Sequence, residues 1–199
     1  MRLSRSLAIV AFAVIVFGGA AFADSFNFAA NGTGDLSGSF AQTFTVGSSS
    51  ITLEGFTADG TANATDLWYK NGSGDENGLG LTVGGSDREI GGDHFIQFTD
   101  AGIASISIGS VQSGESWTLY GSSTLGTRGT TVLATGTGDA TVLLPGIDSG
   151  YTYLSLFSPK GDVLLDSATS VVPEPGTTAF MLTLGIVGLF EVGRRKLFA

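Results

Sequence analysis

Between residues 24 and 170 no apolar run goes far before Gly, Ser, Asn or Asp breaks it, and glycine alone accounts for 31 of the 199 residues. Punctuation that dense leaves no room for a long amphipathic helix, because interior glycines weaken helices and turn residues end them. The runs between the breaks are short, alternating, and rich in β-branched and aromatic residues, the pattern of half-buried strands. They include FAQTFTV, SITLEGFTA, HFIQFTD, ASISIGS, SWTLYGS, TTVLATG, ATVLLPG, YTYLSLFS and DVLLD. With 42% of residues hydrophobic, the chain carries enough apolar surface to fold and is not a disordered glycine-rich tract.

The expected fold class is therefore all-β, an antiparallel two-sheet sandwich of the jelly-roll or immunoglobulin-like kind. About 147 residues suffice for one sizeable core and leave little for a second domain. Alternation nominates Phe40, Phe44, Val46, Ile51, Leu53, Phe98, Ile106, Ile108, Trp117, Leu119, Tyr153 and Phe157 as core.

Both ends differ from this body. Residues 1–23 have Arg2 and Arg5, an apolar stretch from Leu7 to Phe17, and the small-x-small triplet Ala21-Phe22-Ala23 before Asp24. That order predicts a secretory signal peptide cleaved between Ala23 and Asp24, with export through the Sec machinery. At the other end, residues 171–199 contain Pro173-Glu174-Pro175-Gly176, an apolar segment, and the basic stop Arg194, Arg195 and Lys196 within 193–199. The two prolines force an extended approach and hold Glu174 between them. The apolar run from Thr177 to Phe190 gives about 21 Å of helix, short of the roughly 30 Å hydrocarbon core. With its flank it predicts a marginal transmembrane helix over 177–192, the basic cluster staying cytoplasmic.

The Pro-Glu-Pro-Gly motif, apolar stretch and basic cluster, in that order, resemble the PEP-CTERM sorting domain of Gram-negative bacteria. The resemblance covers roughly the last 29 residues. It implies that the chain is an exosortase substrate, held transiently at the inner membrane and then placed at the cell surface or released beside exopolysaccharide. A second resemblance lies in the body. Gly74-Asp75-Glu76-Asn77-Gly78-Leu79-Gly80, followed by Glu89-Ile90 and Phe95-Ile96-Gln97, is similar to a pattern in a subset of PEP-CTERM proteins. It implies a shared β fold and carries no catalytic role.

Charge narrows the partners. Between Asp24 and Val172 four basic residues face sixteen acidic ones, a net charge of −12. Such a surface repels phosphate backbones, so nucleic acid is excluded as a partner, and neutral glycans or divalent cations fit better. Cysteine is absent, which excludes disulfides and thiolate metal sites.

Acidic residues concentrate between Asp66 and Asp100. Hard oxygen donors on a glycine-rich loop suit Ca²⁺, and Asp75, Glu76, Asn77, Glu89 and Asp93 form the candidate set. Ser73 to Gly78 mimics the first half of a calcium loop, but Gly84 stands where a bidentate Glu would complete an EF-hand. The other reading of the segment is an acidic turn cluster that keeps the surface soluble. No other cofactor is expected.

Enzymatic constellations are poorly represented. Asp75 with Glu89, or Glu76 with Asp93, could form a glycosidase pair, but acids are abundant enough that some pair must arise. His94 is the sole histidine, and no Gly-x-Ser-x-Gly elbow accompanies it. The expectation is a non-enzymatic structural or adhesive protein. The alternative is a polysaccharide-binding or carbohydrate-active module that stacks sugars on aromatic residues. Trp68 and Trp117 lead that set, ahead of Tyr69, Tyr120, Tyr151 and Tyr153.

Overall fold

Alternation along the apolar runs sorts side chains onto two faces, and the chain builds fourteen strands among the residues described. The computed structural model describes residues 23–29, 34–36, 39–57, 65–72, 74, 76–83, 88–99, 102–144 and 150–171. The first seven strands are β1 (Ser25–Asn27), β2 (Gly34–Asp35), β3 (Ala41–Val46), β4 (Ser49–Thr57), β5 (Leu67–Asn71), β6 (Asn77–Leu81) and β7 (Ile90–Gly91). The remaining seven are β8 (His94–Thr99), β9 (Ile103–Gly109), β10 (Ser116–Ser122), β11 (Thr131–Gly136), β12 (Ala140–Leu143), β13 (Tyr153–Lys160) and β14 (Asp162–Ser170).

The pairings are antiparallel and give two sheets. One runs β11-β10-β13-β8-β4-β3, the other β12-β9-β14-β6-β5-β2, with β1 and β7 also paired to β14. β14 is the spine of the second sheet. It pairs with β9 through most of its length, while Val163, Leu165 and Ala168 pair in turn with Ile90 of β7, Leu79 of β6 and Phe26 of β1.

The two sheets share one apolar core. Ile51, Leu53, Ile96, Phe98, Leu119, Leu154 and Leu156 project into it from the first sheet. Phe26, Leu67, Leu79, Leu81, Ile106, Ile108, Val163 and Leu165 meet them from the second. Each such side chain, fully withdrawn from water, contributes about 1.5–3 kcal/mol relative to leaving it exposed. The all-β, two-sheet class read from the sequence is the observed one. Residues Asp24–Val171 form one compact unit. Residues 1–22 of the expected signal peptide 1–23, and residues 172–199 of the expected tail 171–199 with its membrane helix 177–192, lie outside the described residues.

Three core assignments need correction. Phe40 is 44% exposed and Val46 38% exposed. β3 is the edge strand of its sheet, so only its middle residue, Phe44, reaches the core. Along β13 the inward residues are Leu154 and Leu156, so Tyr153 and Phe157 take the opposite face. Phe157 is buried there as expected, with Phe56 and Phe95 in a second, smaller core cluster that Tyr120 flanks.

Candidate functional site

The glycines of the Gly-Leu-Gly stretch place the densest polar cluster. Leu67 and Tyr69 of β5 turn toward the core, so Trp68 and Lys70 turn away from it. Their partners across the ladder are Gly80 and Gly78. With no side chain at Gly80, the backbone at Arg88 and Glu89 packs directly against β6. A Cβ at Gly80 would collide with the Arg88 carbonyl oxygen. Arg88 itself takes the left-handed conformation, φ 59°.

This close approach buries Glu89, which is 3% exposed. Its carboxylate accepts a hydrogen bond from the Lys70 ammonium, which also bridges to Glu76 Oε2 at 3.1 Å. Ser110 Oγ donates to Glu89 Oε1 at 3.1 Å, and Gln112 Nε2 donates to Glu76 Oε1 at 3.1 Å. Ser110 holds a left-handed φ of 60°, uncommon for a residue with a Cβ. Trp68 lies alongside, with the Arg88 guanidinium 3.8 Å above its ring centre.

Burial sets the protonation of this knot against its charge pairing. Burial pushes Glu89 above the usual carboxylate range, and the opposing pull of Lys70 and Ser110 does not fully restore it. For Lys70, burial alone would lower the ammonium's pKa. Hydrogen bonds and charge from Glu89 and Glu76 outweigh that and hold it above its ordinary value.

The candidate calcium ligands therefore scatter. Glu76 and Glu89 converge, but on the Lys70 ammonium, which stands where a cation would sit. Asn77 Nδ2 donates to the Gly74 carbonyl at 3.0 Å. Asp93 is exposed in the turn before β8, and Asp75 lies outside the described residues. Among the described residues no three His, Cys, Asp or Glu side chains gather in metal-binding fashion.

The aromatic candidates separate as well. Trp117 is 3% exposed within the main core, and its Nε1 donates to the Gly138 carbonyl at 2.9 Å. It is a packing residue with no ring face for a sugar. Trp68 is half-buried, with one face under Arg88. Tyr69 instead lines a cleft of about 330 Å³ with Phe28, Phe44 and Thr45, between β1, β3 and β5. Phe28, Phe44 and Tyr69 meet edge to face at centroid distances of 5.0 and 6.2 Å. Aromatic walls with a few polar groups suit a small neutral ligand.

The ends of the folded body close on each other. Asp24 N donates to Ser170 Oγ, and Ser170 N donates to the Asp24 carbonyl, both at 2.9 Å. The Asp24 carboxylate accepts from Ser49 N at 3.2 Å, and Val171 N donates to the Gly102 carbonyl at 2.8 Å. Ala23 is exposed just before this seam. Ala21, Pro173, Glu174, Pro175, Gly176, Arg194, Arg195 and Lys196 lie outside the described residues.

Sequence reasoning passed over Lys70 and Gln97. Lys70 is an isolated base beside a glycine-rich acidic stretch, and that opposite charge was the available signal. Gln97 sits inside an apolar strand run, where a polar residue must find partners, and it is fully buried. No family model matches the chain, and no curated protein matches it significantly.

Proposed function

We propose that this chain is an exported, non-enzymatic β-sandwich, sorted through its Pro-Glu-Pro motif by an exosortase and displayed at the cell surface or released into extracellular matrix. Its role there is structural or adhesive, in association with exopolysaccharide. The observation that supports this reading is the Asp24–Ser170 seam. The proposed cuts fall just outside it, after Ala23 and near Pro173 to Pro175. A body whose first and last strands zip together loses both signals without losing a core strand. Repeated crossing of consecutive strands between the sheets, β8 to β9 to β10 and β12 to β13 to β14, favours the jelly roll over the immunoglobulin-like topology.

The test is processing in the producing cell. Replacing Pro173 and Pro175 by Ala should leave the tail attached and the protein in the membrane fraction, as read by intact mass after fractionation. Unchanged processing and release would overturn the sorting assignment.

A second reading, glycan binding, draws on the aromatic cleft. Glycan-array binding that is lost in Tyr69→Ala, with β-sheet circular dichroism unchanged, would establish it. Absence of binding by the wild-type chain would remove it. Calcium remains compatible with either reading through Asp75, Asn77 and Asp93, with Glu76 and Glu89 held by Lys70. A calorimetric titration showing neither heat nor a Ca²⁺-dependent rise in Tm would exclude it.

A further inference from the structure

The polar knot on β5 and β6 contains the parts of a condensation reaction. Lys70 supplies an amine, with its side chain 15% exposed, and Glu89 supplies a carboxyl, 4% exposed, in direct contact with it. Glu76 places a second carboxylate 3.1 Å from the same nitrogen. Ser110 aims a hydroxyl at Glu89 Oε1 from 3.1 Å, and its backbone is left-handed. Strained non-glycine backbone at a buried polar cluster marks a geometry that the rest of the fold enforces.

We infer that Lys70 and Glu89 are joined by an intramolecular isopeptide bond, with Glu76 as general base and Ser110 as the donor that steadies the developing oxyanion. Moving one proton from the ammonium to Glu89 replaces two buried charges by a neutral amine and a neutral acid. Desolvation penalises both charged forms and so lowers the cost of that exchange, although the pull of Glu76 and Glu89 on the ammonium opposes it. The amine lone pair then attacks Glu89 Cδ, forming the carbon–nitrogen bond and placing negative charge on Oε1, where the Ser110 hydroxyl donates. Glu76 takes the proton released by the nitrogen and passes it to the other carboxyl oxygen. That oxygen leaves as water while the carbonyl re-forms. The products are one amide, one water and the original Glu76 carboxylate, with no oxidant or co-reactant.

Two features of the site favour the amide. Reactants held in contact by a fold reach effective molarities of about 10⁵ M or more. The amide also removes the buried charge pair whose desolvation the knot otherwise carries. In a chain without cysteine, such a bond supplies a covalent staple where no disulfide can form.

The experiment is a peptide map of the full-length gene product purified from its producing cells, unfolded and digested with trypsin. Between residues 24 and 128 the only cleavage sites are Lys70, Arg88 and Arg128. The expected result is a branched species joining the peptide that ends at Arg88 to the peptide 89–128. It should be lighter than their sum by one water, and free 71–88 should be absent. Lys70→Arg, which keeps the cation, should lose the branch entirely. Glu76→Gln should form it on the order of 100-fold more slowly, the usual worth of a positioned acid–base group. Linear 71–88 and 89–128 peptides in full yield from folded wild-type protein would overturn the proposal and leave a plain ion pair. Full and rapid linkage in Glu76→Gln would overturn the proposed mechanism.

Discussion

Gly80 shows how a single missing side chain organises the polar cluster. Its value lies in the space over β6 that lets the Arg88–Glu89 backbone settle there. An added Cβ meets the Arg88 carbonyl and the Glu89 Cα, both backbone atoms that cannot rotate away. Gly80→Ala should therefore lift that segment, expose Glu89 and lower unfolding free energy by about 2 kcal/mol, the usual scale of overpacking. Urea denaturation of the two proteins measures it. The same physics explains why the knot is hard to see in sequence. Gly80 reads as turn punctuation, whereas its work is to admit a crossing chain. A different residue-scale prediction concerns Glu54 on β4, whose carboxyl burial pushes above its ordinary range. A carboxyl raised on folding stabilises the fold below its unfolded pKa, and that contribution is lost as pH rises through the folded value. Glu54→Gln should thus raise Tm relative to wild type at pH 7. The difference should vanish near pH 3, where both side chains are neutral. A Tm gap that is constant across this range would rule out the titration as its source.

At the scale of elements, one glutamine fastens a loop to a sheet. Gln97 of β8 points away from the main core, and its Nε2 donates to the Thr127 carbonyl at 2.9 Å and to Ser155 Oγ at 3.0 Å. Its Oε1 accepts from Gly126 N at 2.8 Å. Residues 123–130, which connect β10 to β11, are thereby held against the sheet. Arg128 rests over Phe157 at 4.1 Å and Tyr120 at 5.0 Å. Gln97→Leu keeps the volume but leaves a buried carbonyl and amide without their partner, a cost of about 2–3 kcal/mol. The loop should open first, and limited trypsin digestion should cut at Arg128 much faster than in wild type. Equal digestion rates would mean that contacts other than those of Gln97 hold the loop. Elements of this sheet were legible because β4, β8 and β10 alternate cleanly around large apolar residues. β5 and β6 were not, since LWYKN and NGLGL offer little alternation and take their strand form from pairing with each other and with β14. β1 was missed for a related reason: three residues are too few to show a period, and its pairing with β14 spans most of the chain.

On the scale of the whole molecule, the sequence marked the two ends as separate from the body, but not that the body's first and last strands are neighbours. Ser25, Phe26 and Asn27 pair with Thr169, Ala168 and Ser167. Phe26 and Phe28 are each 1% exposed, so the first residues after the expected signal cut already belong to the core. A chain trimmed beyond these residues would therefore lose stability. Truncating one buried Phe costs about 3–5 kcal/mol, and losing two approaches the roughly 5–15 kcal/mol by which a domain of this size is stable. A chain beginning at Asp24 should fold cooperatively, as followed by circular dichroism in urea. One beginning at Ala29 should show no cooperative transition and should be degraded in the producing cell. If the shorter chain unfolds with the same midpoint as the longer one, β1 is dispensable. The seam would then set no limit on how far the N-terminus can be trimmed.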